Sequence, residues 1–154
     1  MDLQIRYARP ADALAVAAFN ACMAKETENL ELDRELLLAG VRALLADSAK
    51  GHYFLAESAG QVVGQTMITF EWSDWRNGTF WWIQSVYVDP AHRRRGVFRA
   101  LFHHILEECR RACGVGLRLY VDRHNRAAHS TYSRLGMRPA SYEMFEIDFV
   151  LDRE

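Results

Sequence analysis

The 154-residue sequence has only three cysteines and three prolines. An odd cysteine count, Cys22, Cys109 and Cys113, argues against a fold stapled by disulfides and favours a reducing compartment, the cytoplasm. Cys109 and Cys113 stand four apart on an expected helix, on its buried side, where they read as reduced core residues. Few prolines and nine glycines exclude a Pro/Gly-rich low-complexity chain. No apolar run approaches the ~20 residues of a membrane span, and Met1-Asp2-Leu3-Gln4 does not open a signal-peptide pattern, so no membrane partner is expected. Charge of one sign is missing too: the formal net charge is −1, which excludes nucleic-acid binding by bulk charge and leaves only local positive fields. His92, His103 and His104 show no ligand spacing with nearby acids, and no metal is expected.

What is present is ordinary for a globular chain, with half the residues apolar and 25% charged. Repeats, linkers and low-complexity stretches are absent, so one domain over 1–154 is expected. Leu3–Tyr7 reads as a strand. Ala11–Ala24 reads as a helix with Leu14, Ala18, Phe19 and Cys22 on one face, and Lys25–Leu32 as an acidic link. Asp33 caps a second helix carrying Leu36, Leu37, Val41, Leu44 and Leu45, which Gly51 ends. Tyr53–Glu57 and Val62–Phe70 are strands joined by a turn at Ser58-Ala-Gly-Gln61. Trp72–Gly78 reads as a loop, and Thr79–Val88 as a nearly uncharged central strand. Val97–Ala112 is the clearest helix, with Phe98, Leu101, Phe102, Ile105 and Cys109 on one face. Leu117–Val121 is a strand, Arg126–Leu135 a helix closed by Gly136, and Ser141–Leu151 one or two final strands. The order is α/β, with hairpins making much of the sheet antiparallel.

The most informative stretch runs from Val86 to Leu101. A β-prone run breaks at Asp89-Pro90, a loop holds Arg93, Arg94, Arg95 and Gly96, and a helix begins at once. Backbone N–H groups from Arg94 to Phe98 and the positive helix end suit a phosphorylated ligand. Arg93, Arg94, Arg95 and Arg99 add charge-assisted contacts. The plainer alternative is a solvated basic cluster, with a nucleic-acid patch as its variant. From the residues alone the stretch is an anion site at a helix N-terminus.

Arg93-Arg94-Arg95-Gly96-Val97-Phe98 resembles the Arg/Gln-x-x-Gly-x-Gly/Ala signature of the GCN5-related N-acetyltransferase (GNAT) superfamily. It departs at Phe98, where a small residue is usual, and at Arg94, where many members carry Gly. A second motif, Asn125-Arg-Ala-Ala-His-Ser-Thr-Tyr132-Ser-Arg-Leu-Gly136, resembles the family's Asn-x-x-Ala-x-x-x-Tyr-x-x-x-Gly. The resemblance implies one GNAT-like α/β (α+β) domain: a mixed, mostly antiparallel sheet of six to seven strands, about four helices, and a splay between the central strands. It implies acetyl-CoA as co-substrate and an amine as acceptor. Backbone at Val86 and Val88 would pair with the pantetheine amides, the loop from Arg93 to Arg99, with Gly96, Val97 and Phe98, would hold the pyrophosphate, and Asn125 and Tyr132 would touch the cofactor. Tyr132 would protonate the departing thiolate.

The acceptor side is less defined. The stretch Tyr53–Val88 looks closest to the small-amine branch with diamine and thialysine acetyltransferases. That branch commonly carries Glu where this chain has Gln84, which is no base near neutral pH. Base duty then falls to water, Glu71 or Asp74, with Gln84 orienting water or amine. Glu26, Glu28, Glu31, Glu71 and Asp74 would focus a cationic amine, the alternative being two ordinary solvated loops. Trp81 and Trp82 must lie on opposite faces of their strand. The readings that remain are a small-amine N-acetyltransferase, a protein or peptide N-acetyltransferase, and a CoA-binding module without turnover. Family members often dimerise, so a homodimer is among the expected states.

Overall fold

The computed structural model describes residues 2–151, and chain contacts divide it after Tyr120 into two compact units. The first unit is a five-stranded sheet in the order β1-β2-β3-β4-β5. The strands are β1 (Gln4–Tyr7), β2 (His52–Ser58), β3 (Gln61–Ser73), β4 (Gly78–Val88) and β5 (Gly116–Arg118). β1 to β4 are antiparallel neighbours; β5 joins β4 in parallel. The two-residue turn Ala59-Gly60, with φ 50° and 77°, joins β2 to β3. Positive φ at both central residues matches the right-handed strand twist, and glycine takes such a value without strain. β3 continues to Ser73, so part of the expected Trp72–Gly78 loop is strand.

Two helices cover one face. α1 (Ala13–Glu28) and α2 (Arg34–Ala46) bury Ala13, Val16, Ala17, Val41 and Leu44 against Tyr53 and Leu55 of β2. Asp33 caps α2 as the sequence suggests, its Oδ1 accepting from the N–H groups of Glu35 and Leu36 at 2.9 Å each. The face of α1 differs from expectation. Leu14 and Cys22 are exposed, and the buried stripe is Ala13, Val16, Ala17, Asn20 and Ala24. An alanine-rich helix has little periodicity of its own, and the polar Asn20 belongs to its inner face because it finds partners there. Gly51 does not end α2; a turn at 47–50 intervenes and Gly51 leads into β2.

α3 (Val97–Arg111) packs on the other face. Val97, Leu101, Phe102, Ile105 and Cys109 are buried, and His104 stacks edge-on to Phe54 at 5.4 Å. A Cβ on Gly64 of β3 would come within 2.7 Å of Val97 Cγ1, so the start of α3 lies directly on the sheet. The helix ends before Cys113, which is exposed at φ 57° rather than packed beside buried Cys109. A left-handed residue ends helical periodicity, so spacing carried across it misplaces the side chain.

In the second unit α4 (Arg126–Arg134) is capped by Asn125, whose Oδ1 accepts from the Ala128 N–H at 3.0 Å. Gly136 follows at φ 89°, and the Met137 N–H reaches the Tyr132 carbonyl at 3.1 Å. Residues 141–151 form no strand, so the described sheet has five strands rather than the six to seven expected. Alternation of apolar residues marks the face of a strand but supplies no partner, and a strand exists only through its ladder. No helix among the described residues is long and apolar enough to cross a membrane.

Candidate active site

β4 changes character along its length. Phe80, Trp81 and Trp82 pair with Gly116, Leu117 and Arg118 of β5, and the ladder stops there. Beyond Trp82, β4 has no strand partner on that side among the described residues. The ladder stops because β5, the edge strand, ends at Arg118, and it leaves later β4 backbone groups without a strand partner, a form of edge that an extended ligand can use. The unpaired half also carries a bulge. Gln65 opposes Tyr87 and Met67 opposes Gln84, so Thr66 alone faces Ser85 and Val86. Ser85 takes φ 49°, a left-handed conformation that costs a non-glycine residue on the order of 1 kcal/mol.

The basic loop follows. Asp89 Oδ1 accepts from the Ala91 N–H at 2.9 Å and shapes the turn through Pro90. Arg94 has φ 60° and Gly96 has φ 84°. Two left-handed residues so close together turn successive N–H groups toward one side, the geometry of an anion nest. The conformation also accounts for a small residue being favoured at 94: arginine pays for that φ, glycine does not. Gly96 caps α3 without a side-chain bond, so the first-turn N–H groups of α3 stay available. Among the described residues, Arg94, Arg95 and Arg99 have no ion-pair partner. Phe98, on the first turn of α3, is half-buried and stacks on Phe102 at 6.2 Å, so its bulk lies along the helix.

Arg93 is placed differently. Its Nε donates to the Val88 carbonyl at 2.9 Å, its terminal nitrogen to Glu26 at 2.6 Å, and its guanidinium lies 5.4 Å from the Tyr87 ring centroid. Arg93 therefore ties the loop to β4 and to the end of α1. Glu26 also accepts from the Tyr87 hydroxyl at 2.9 Å. The Arg93 hydrogen bond, helped by Tyr87, holds the Glu26 carboxyl below its ordinary range against the opposing effect of desolvation. Such a carboxylate is a poor proton acceptor near neutral pH.

The remaining acceptor-side candidates are also engaged. Glu71 accepts from the Trp82 indole at 2.9 Å and pairs with Arg118, whose guanidinium covers Phe80 at 3.8 Å. Asp74 accepts from the Trp75 N–H at 2.9 Å. Gln84 donates its amide to Thr69 Oγ1 at 2.6 Å. Trp81 is core, packed edge-on to Phe70 at 5.5 Å, while Trp82 sits on the opposite face. In the second unit, burial raises the Tyr132 phenol above 10.0, which keeps it protonated through the neutral range.

Sequence reasoning missed a buried polar group beside the bulge, Asn20, Tyr53 and Gln65, next to half-buried Ser85. The available signal was Asn20 and Gln65 standing in otherwise apolar patterns.

Residues 16–137 match the acetyltransferase (GNAT) family model. The chain belongs to the GNAT acetyltransferase family. Members are N-acetyltransferases that take acetyl-CoA as co-substrate and amines as acceptors, and this chain is accordingly an N-acetyltransferase. A possible acetyltransferase from Clostridium difficile 630 is 47% identical, with 97% of this chain and 99% of that one covered at a TM-score of 0.89. A ribosomal-protein-alanine N-acetyltransferase from Brucella melitensis biovar Abortus 2308 shares the fold at 19% identity, 96% and 99% coverage and a TM-score of 0.79. An aminoglycoside acetyltransferase from an uncultured soil metagenomic sample does so at 22% identity, 99% and 100% coverage and 0.74. A search of curated proteins returns no match. The loop fits a CoA pyrophosphate: left-handed Arg94 and Gly96, first-turn donors without a side-chain cap, and Arg94, Arg95 and Arg99 all fall within the loop and the first turn of α3.

Proposed function

We propose that this GNAT protein moves an acetyl group from acetyl-CoA to a primary amine of a small cationic molecule, by direct attack in a ternary complex, in the cytoplasm. The observation that carries this reading is the junction of β4 and α3: an open strand edge running into a nest of N–H groups and free arginines. Val86 and Val88 backbone groups pair with the pantetheine arm. Arg94, Arg95 and Arg99, with N–H groups of Gly96, Val97 and Phe98, hold the pyrophosphate. Arg93 serves the same loop by fixing it to Val88 and Glu26. Asn125 caps α4 and contacts the cofactor.

An ammonium is no nucleophile, so the amine must lose a proton at or before attack. Glu26 is bonded to Arg93 and Tyr87, which lower its carboxyl, and Glu71 to Arg118 and Trp82. The proton leaves through water oriented by the Gln84 carbonyl, with the acids Glu26, Glu71 and Asp74 favouring a cationic acceptor by their field. A β4 N–H polarises the thioester carbonyl. The amine nitrogen bonds to the acetyl carbon, the carbon–sulfur bond breaks, and Tyr132 gives its proton to the thiolate.

The test is thiol release from acetyl-CoA with free polyamines, lysine analogues and aminoglycosides beside a peptide panel. Turnover with free amines supports the reading, and preference for peptides overturns the small-molecule acceptor. Tight acetyl-CoA binding by calorimetry with no turnover anywhere makes the protein a CoA-binding module. Tyr132→Phe should lower kcat by about 100-fold, the scale of general-acid assistance, with little change in acetyl-CoA affinity. Its phenol is raised above 10.0 by burial, so the assistance should persist to alkaline pH and fade only above the ordinary phenol range.

A further inference from the structure

The polar group beside the bulge lies between α1 and the strands. Asn20 of α1, at 5% exposure, and Gln65 of β3, at 0%, are its buried amides. Gln65 Nε2 donates to Asn20 Oδ1 at 2.7 Å, and Asn20 Nδ2 donates to the Tyr53 hydroxyl at 2.9 Å. Tyr53, buried on β2, is hydrogen-bonded in turn to the Ser85 side chain. From β3, the Thr66 hydroxyl donates to the Gln84 carbonyl at 3.1 Å. The amide–phenol contacts thus reach β4 at Ser85, the bulge residue with the positive φ, and the separate Thr66 bond holds the preceding residue, Gln84. No donor among the described residues reaches Gln65 Oε1.

A polar network in this place is a poor way to stabilise a core. Apolar residues of similar shape would avoid desolvating two amides and a phenol, and a partly satisfied network is worse than none. What it supplies instead is direction, since hydrogen bonds fix orientation where dispersion does not. We propose that Asn20, Tyr53 and Gln65 are positioning residues for acyl transfer: a buried amide–phenol brace that holds the Ser85 bulge and so aims the following β4 backbone at the thioester. The inference rests on the acetyl-transfer reading above. The brace touches neither substrate nor cofactor; it acts through Ser85 and the backbone of Val86.

The decisive variant is Tyr53→Phe, which removes one oxygen and keeps the ring in the core. It should lower kcat by about 10- to 100-fold, the cost of a misplacement near 1 Å, while KM for acetyl-CoA moves less than about twofold. A purely structural Tyr53 would lower the melting temperature and leave kcat unchanged below it, which overturns the proposal. Adding Ser85→Gly to Tyr53→Phe should recover part of kcat, because glycine holds φ 49° without help. No recovery together with unchanged amide hydrogen exchange over 84–88 in Tyr53→Phe also overturns it. Wild-type protein that transfers acetyl to no amine or peptide defeats the functional reading by itself. The brace is then decided by hydrogen exchange alone: faster exchange confined to 84–88 in Tyr53→Phe keeps it, and unchanged or uniformly faster exchange removes it.

Discussion

The two halves of β4 are one continuous strand built to different ends. From Gly78 to Trp82 it is zipped on both sides, to β3 and to β5, and its Phe80 and Trp81 are core. Arg118, Glu71 and the Trp82 indole clamp its outer face. From Ile83 to Val88 one side is open, the register slips, Ser85 takes a left-handed φ, and amide and hydroxyl groups replace part of the apolar packing. The first half is where the strand gains stability. The second half spends some of it to present backbone groups in a fixed direction, a pattern expected where strain serves chemistry. Anchoring a strained half beside a rigid one keeps the open edge from collapsing or pairing at random.

Four measurements break or sharpen this contrast. Trp81→Ala removes a core ring from the zipped half and should cost ~3–5 kcal/mol of stability, read by denaturant unfolding, with acetyl-CoA affinity of the folded fraction unchanged. A selective loss of affinity would show that the two halves are not separable. Arg95→Ala at the end of the open half should do the converse. About tenfold weaker CoA binding by calorimetry is expected from losing one charge-assisted contact, with an unchanged melting temperature. Unchanged affinity would remove Arg95 from the phosphate site. Arg118→Gln loosens the clamp on the zipped half; a half-exposed ion pair and its ring contact should be worth no more than ~1 kcal/mol in a double-mutant cycle with Glu71→Gln. Glu26→Gln gives the smallest effect and tests the tie between α1 and the loop. The Glu26 carboxyl is lowered below 4.5 in the fold, chiefly by Arg93, so its contribution is present above 4.5 and disappears as pH falls through the folded value. Wild-type and variant melting temperatures should therefore differ slightly at neutral pH and converge in acid. A difference that grows in acid would reverse the assignment.

The legible parts of the molecule share a cause. α3, the cap at Asp33, the β2–β3 turn and the Asn125 cap are set by neighbours within a few residues, and the sequence pattern located each one. The loop between β4 and α3 was legible for the same reason, since a strand end, a glycine and a helix start follow closely. Misplacements arose where the partner is distant. Leu14 was given to the core because α1 has alanine on several faces, and only contact with β2 and β3 selects the Asn20 face. Cys113 was given to the core because a left-handed residue beyond Arg111 breaks the period unseen. The sequence pattern also contains no sign that Arg93 and Tyr87, more than sixty residues away, bond to both oxygens of Glu26.

By itself the sequence determined the family and the order of elements as far as α4, because helix caps, turns and a strand–loop–helix junction are local constructions. Tertiary structure alone decided which groups at that junction are free and which are committed. It gave Arg93 to Val88 and Glu26, left Arg94, Arg95 and Arg99 uncommitted, opened β4 beyond Trp82, and set an amide–phenol cluster beside Ser85. The physical reason is that an ion pair or a buried hydrogen bond is a relation between distant residues, and no run of adjacent letters contains it.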